Sequence, residues 1–131
     1  MIKRFNEFII ESIGSFEKWY DNLEEVFQNS LAYLIDDNYI EYRLDEDDSE
    51  SDLSCSIIST TDKSVEWEKI KLDFIAFIEL LNTKYILDNS TIFFDENDDV
   101  HYFKIEDILE DNINIENINT IMFSIKKMSM K

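Results

Sequence analysis

From Phe16 onward apolar residues recur at steps of three and four. Phe16, Trp19, Leu23, Val26, Phe27 and Leu34 form one stripe, and Glu17, Asp21, Glu24, Glu25 and Gln28 lie largely on the other side. That spacing predicts an amphipathic helix over about Phe16–Ile35, with Ser15 as its N-cap. The period then falls to two. Ile40, Tyr42 and Leu44 alternate with Glu41, Arg43 and Asp45, and Leu53, Cys55 and Ile57 alternate with Ser54 and Ser56. Between them runs a stretch no core accepts, so the pattern predicts a β-hairpin with a long acidic loop. Ser64 is placed to cap a second helix, with Glu66 and Glu68 in its first turn. Trp67, Ile70, Phe74, Phe77, Ile78, Leu81 and Tyr85 make its stripe, widened by Leu72, Ile75 and Leu80. A helix so apolar around its circumference is either the central core helix or part of a homodimer face.

Thr91–Phe94 and Val100–Ile105 read as two further strands around a polar turn. Glu106–Glu110 reads as a helical turn and Asn119–Lys127 as a last strand with Ile121, Phe123 and Ile125 facing inward. The predicted order is α-β-β-α-β-β-(α)-β. The fold class is therefore α+β: an antiparallel sheet of about five strands with two main helices on one face. Residues 13–131 read as one domain, and Met1–Ser12 stands apart as a short lead.

Composition narrows the chemistry. The 131 residues carry 30 Asp and Glu against 12 Lys and Arg, a net charge of −18, yet 44% are hydrophobic and 14% aromatic. That is too apolar for a disordered acidic tail. The charge argues against nucleic acid or an anionic membrane as a direct partner, because phosphate binding needs Lys and Arg. No stretch approaches the roughly 18 apolar residues of a membrane span. Glycine occurs once (Gly14), histidine once (His101), cysteine once (Cys55), and proline is absent. Gly-rich phosphate loops, Cys/His zinc clusters and internal disulfides are excluded on those counts. No cofactor is expected, a reducing compartment is expected, and an enzyme is the least expected class. The wealth of Ile and Asn with little Gly, Ala or Pro points to an AT-rich coding sequence.

Two segments concentrate the charge. Residues 36–52 hold nine carboxylates and one Arg, and residues 95–111 hold eight carboxylates and one Lys. Asp36, Asp37, Asp45, Glu46, Asp47, Asp48, Glu50, Asp52, Asp95, Glu96, Asp98 and Asp99 are the candidate partner-binding residues. Dense carboxylates on a rigid surface imitate the phosphate spacing of duplex DNA, one charge per roughly 1.7 Å of axis. Such a surface would seat in a basic cleft, with electrostatic steering and salt sensitivity. The same pattern also serves as a solvated face. Asp95, Asn97, Asp99, His101 and Glu106 stand at positions one, three, five, seven and twelve of an EF-hand spacing, but Val100 occupies the position that needs glycine. A polar hairpin turn is the expected outcome, with no metal. Cys55 and His101 fall on inward faces of strands, as core residues do. Tyr20, Tyr33 and Tyr39 are candidate interface anchors.

The start of the chain carries one family-like signal. In Met1-Ile2-Lys3-Arg4-Phe5-Asn6-Glu7-Phe8-Ile9-Ile10-Glu11-Ser12, the residues Lys3, Phe5, Glu7, Phe8, Ile9 and Glu11 stand in register with a Met-Lys-x-aromatic-x-Glu-Phe-Ile-x-Glu pattern. The segment resembles the head-targeting peptide of T-even-type phage internal proteins, and similar starts occur on other proteins of large tailed phages. It departs from the pattern by one added residue and by Arg4. The resemblance implies cutting by a prohead protease between Glu11 and Ser12. It also implies a phage accessory protein, placed in the host cytoplasm or packaged in the virion. Some internal proteins of that group block host restriction enzymes.

Together these readings lead to an acidic binding protein that inhibits a host defence or nucleic-acid-processing enzyme by charge mimicry. Its partner would be a protein with a basic surface. A virion structural or assembly accessory is the alternative. A bacterial immunity protein or an acidic secretion chaperone is a third reading.

Overall fold

The computed structural model describes residues 5–46, 51–60 and 64–131, with side chains from residue 15 onward. Helix α1 spans Phe5–Ser30, α2 Ala32–Asp36, β1 Ile40–Glu46, β2 Asp52–Ser59, β3 Val65–Glu66, α3 Trp67–Lys84, β4 Ser90–Asp95, β5 Val100–Lys104, α4 Ile105–Leu109 and β6 Asn117–Lys126. The class is α+β, as the hydrophobic patterning predicts. The strands join into one antiparallel sheet in the order β1-β2-β6-β4-β5, with the short β3 pairing to the start of β6. The last strand is thus the central one. It docks between two hairpins that precede it in the chain and welds them into a single sheet.

Three boundaries differ from the expectation. The first helix begins at Phe5, not Phe16, so Ser15 lies inside it rather than at its cap. Gly14 also lies inside the helix, where its cost of about 1 kcal/mol relative to Ala does not break the run. The helix is interrupted at Leu31, which stays buried and still donates to the Phe27 carbonyl at 3.1 Å. Ser64 does not cap α3. Instead Val65 and Glu66 first pair with Ile118 and Asn117 of β6, and the helix starts at Trp67. This pairing gives the backbone groups at the start of β6 partners beyond the end of β2. Two residues are too short to show an alternation.

The core lies between the sheet and the two long helices on one face of it. Phe27 of α1 packs on Tyr42 at 5.1 Å, Phe77 of α3 at 4.8 Å and Phe123 of β6 at 6.3 Å between ring centroids. Trp67 and Phe74 of α3 pack on Phe93 of β4. All seven stripe residues of α3 from Trp67 to Tyr85 are buried, so α3 is the central core helix. The widening residues are not all used: Leu72 is 77% and Leu80 37% exposed.

Scarcity of glycine shows in the turns. Among the described residues, four that are not glycine have left-handed backbone: Asn38, Asp98, Asp111 and Met128. Asn38 ends α2 in a Schellman motif, in which Asn38 donates to Ile35 and Tyr39 donates to Leu34. Asp111 does the same for α4, with bonds to Ile108 and from Asn112 to Asp107. Asn and Asp are the side chains that tolerate this region when glycine is absent.

Candidate functional site

The register decides where the acidic residues go. Ile40 at the start of β1 faces Ser59 at the end of β2. Ile58 faces Thr120, and Thr120 faces Phe94 near the end of β4. Asp36 and Asp37, which lead into β1, therefore share one end of the sheet with the β4–β5 turn, Asp95–Asp99. Asp45, Glu46 and Asp52 lie at the opposite end, a strand length of roughly 20 Å away. The two acidic segments do not merge into one patch. Asp47, Asp48 and Glu50 fall outside the described residues. Glu11 and Ser12 sit within α1, where side chains are not described.

The two ends differ in charge balance. At the Asp45–Asp52 end, the Lys127 ammonium lies 3.5 Å from Glu46, and Lys126 faces Asp52 across the sheet. At the other end, no ion pair reaches Asp36, Asp37, Glu96, Asp98 or Asp99 among the described residues. Those five carboxylates are all exposed.

The β4–β5 turn is built to hold them. The Asp95 and Asp99 backbones bond at 3.1 Å, and Asp98 donates to the Asp95 carbonyl at 3.0 Å. Asp98 takes the left-handed position that closes a three-residue hairpin loop. Asp95 itself is spent on the turn: its Oδ1 accepts the N–H of Asn97 at 2.9 Å and of Asp99 at 3.0 Å, and its Oδ2 lies 2.9 Å from His101 Nε2. The His101 bond, helped by those two backbone N–H groups, holds the Asp95 carboxyl below its usual range. Glu96 and Asp98 point outward and are gripped from β6. Asn117 Nδ2 donates to Glu96 at 3.3 Å and Asn119 Nδ2 donates to Asp98 at 3.0 Å. An amide donor fixes the direction of a carboxylate without neutralising it.

Asn117 and Asn119 were not singled out by the sequence. Their signal was an Asn at every second position entering an Ile-rich strand, legible only once β6 is known to border the turn. Glu106 of the EF-hand spacing lies on α4, beyond the far end of β5 from the turn. No group of three or more His, Cys, Asp or Glu is arranged to hold a metal among the described residues. Cys55 is fully buried, and burial pushes its thiol strongly upward, with the negative charge of Asp45 adding to the shift. His101 stacks on Phe103 at 6.5 Å on the inner face. Of the tyrosines, Tyr33 on α2 is 79% exposed, one turn before Asp36, whereas Tyr20 and Tyr39 are half-buried.

No protein family, curated protein or solved structure matches the chain. No described helix is long and apolar enough to cross a membrane.

Proposed function

We propose that this is a binding protein rather than an enzyme: a phage-encoded acidic inhibitor that seats one charged end in the basic cleft of a host defence or nucleic-acid-processing enzyme. The observation that supports this reading most is the pair Glu96 and Asp98, exposed and oriented by the neutral donors Asn117 and Asn119. Fixed, unpaired carboxylates on a rigid hairpin stand in for phosphates better than carboxylates on a floppy loop, because little side-chain order remains to be lost on binding. Asp36 and Asp37 extend the array along the same end, and exposed Tyr33 supplies an aromatic anchor beside them. The Asp45–Asp52 end, with Lys126 and Lys127 close by, is secondary.

The test compares tagged wild-type protein with a Glu96→Lys, Asp98→Lys, Asp99→Lys variant of equal circular dichroism. Each is mixed with lysate of the presumed host, and retained proteins are identified by mass spectrometry. Wild type retains a basic nucleic-acid enzyme, which is released between about 50 mM and about 200 mM salt or by duplex DNA. The variant retains none of it. Capture that survives both charge reversal and salt overturns the reading.

A further inference from the structure

Both long helices pack on one face of the sheet, and strand side chains alternate between faces. The opposite face is thus set by the register. One row across it runs Arg43, Ser56, Met122, Ile92, Tyr102, and the next runs Glu41, Ile58, Thr120, Phe94, Val100. Tyr102 is 70%, Val100 45% and Met122 36% exposed, and Ile58, Ile92 and Phe94 are half-buried. On the five long strands the charged residues of this face are Glu41, Asp45 and Asp52 against Arg43, Lys104 and Lys126, which sum to zero, and Glu66 of the short β3 is paired with Lys69 at 3.2 Å. In a protein of net charge −18, the five long strands carry no net charge on this face, and its two central rows are mostly apolar.

A basic partner gains nothing from a neutral face and would choose the acidic end. A second copy of the chain is repelled everywhere except here. We propose that the open face of the sheet is a dimer interface, on which two copies pack face to face about a two-fold axis running along β6.

The direction of the axis follows from the charges. A two-fold across the strands would set β1 against β1, placing Glu41 against Asp45 and Arg43 against Arg43. A two-fold along β6, the central strand, sets β1 against β5 and β2 against β4 of the second copy. Asp45 then faces Lys104, and Arg43 faces the Tyr102 ring, an attractive cation–π pairing. Ile58 faces Phe94, and on the axis Met122 meets Met122 and Lys126 meets Lys126, a like-charge contact set against two Asp45–Lys104 pairs and two Arg43–Tyr102 pairs. Aligned packing of two twisted sheets is a standard arrangement. Five strands spaced about 4.8 Å and roughly seven residues long give about 400–500 Å² of flat area per copy. The pair reaches about 1,000 Å², the lower bound for a specific interface. The same axis brings both acidic ends to one end of the dimer. Their repulsion opposes assembly and is screened over about 8 Å at physiological salt.

Sedimentation equilibrium of the full chain tests this, with circular dichroism checking each variant. Wild type sediments at twice its 15.7 kDa mass, and association strengthens as salt rises. Met122→Lys, which puts two ammonium groups on the axis, weakens association about 100-fold or more, and Tyr102→Ser weakens it without touching the core. Asp45→Lys and Lys104→Asp each weaken association about tenfold, and the two together restore it. A monomer at every concentration and salt overturns the proposal. So does a dimer indifferent to Met122→Lys and Tyr102→Ser, or a double reversal weaker than either single one.

Discussion

Replacing Trp19 with Phe tests how the C-terminal tail holds the helix layer to the sheet. The indole N–H of Trp19 donates to the Ser129 carbonyl at 2.9 Å in a buried position, 110 residues away in sequence. The Ser129 hydroxyl accepts the Ile86 N–H at 3.0 Å, so this one tail residue ties α1 to the segment after α3. Trp19 also meets Tyr85 edge-on at 5.9 Å. Phe keeps an aromatic ring there but orphans a buried carbonyl, which costs about 1–3 kcal/mol. The smaller ring leaves a void of roughly 40 Å³, and at about 24 cal/mol per Å³ that adds about 1 kcal/mol. The expected loss is about 2–4 kcal/mol, a sizeable part of the roughly 5–15 kcal/mol that holds a domain folded. Urea unfolding reads it directly, with Trp67 as the remaining tryptophan and fluorescence probe. At an m-value of about 2 kcal/mol/M the midpoint falls by about 1–2 M. A loss below about 0.5 kcal/mol, the scale of a neutral surface change, refutes the latch. Ser129→Ala supplies a cross-check: it costs about 1–2 kcal/mol alone, and less in the Trp19→Phe background, because the two changes release the same tail.

Met128 holds a φ of 61° with no side-chain compensation of the kind Asn and Asp provide, so Met128→Gly raises the urea midpoint by the equivalent of about 1 kcal/mol, whereas Met128→Ala leaves it unchanged. His101→Gln removes the leading cause of Asp95's lowered pKa. The Asp95 carboxyl then titrates closer to the ordinary value of 3.8, which carbon-detected NMR follows, and an unmoved titration refutes the pairing. Because the folded-state pKa is depressed, the turn's contribution to stability is complete above that ordinary value. It disappears only as pH falls through the lower, folded value, so the wild type's advantage over the variant is present above the ordinary value and fades in acid.

Much of the fold is legible along the chain because its signals are local. The alternation at Ile40–Asp45 and Leu53–Ile57 marks β1 and β2, and the stripe from Trp67 to Tyr85 marks the buried face of α3. The strand order is not local. Nothing in Asn117–Lys126 by itself says that it lies between β2 and β4, since that depends on which edges of two hairpins are left unpaired. The charge pattern behaves the same way. Residues 36–52 form one acidic run in sequence, but β1 carries its two halves to opposite ends of the sheet, and only the register separates the end where Lys126 and Lys127 lie beside Asp52 and Glu46 from the end where Asp36 and Asp37 have no ion pair among the described residues. The glycine count had a double meaning. One glycine excludes phosphate-cradling loops, and the same scarcity sends Asn38, Asp98 and Asp111 into left-handed turns.

Strand β6 carries both functional proposals and separates them. Its first residues, Asn117 and Asn119, aim the exposed carboxylates of the β4–β5 turn. Its middle residue, Met122, lies on the proposed two-fold. Its last residue, Lys126, and Lys127 just after it offset the charge at the far end of the sheet. Negative charge therefore grows along the molecule toward the start of β6, while the open face beside it stays neutral. Salt acts on the two surfaces in opposite directions. Screening weakens the hold of the acidic end on a basic cleft. It also relieves repulsion between two chains of charge −18 meeting through a neutral face. A partner lost and a dimer gained over the same salt range is the behaviour this arrangement requires, and two surfaces drawing on the same charges would move together instead.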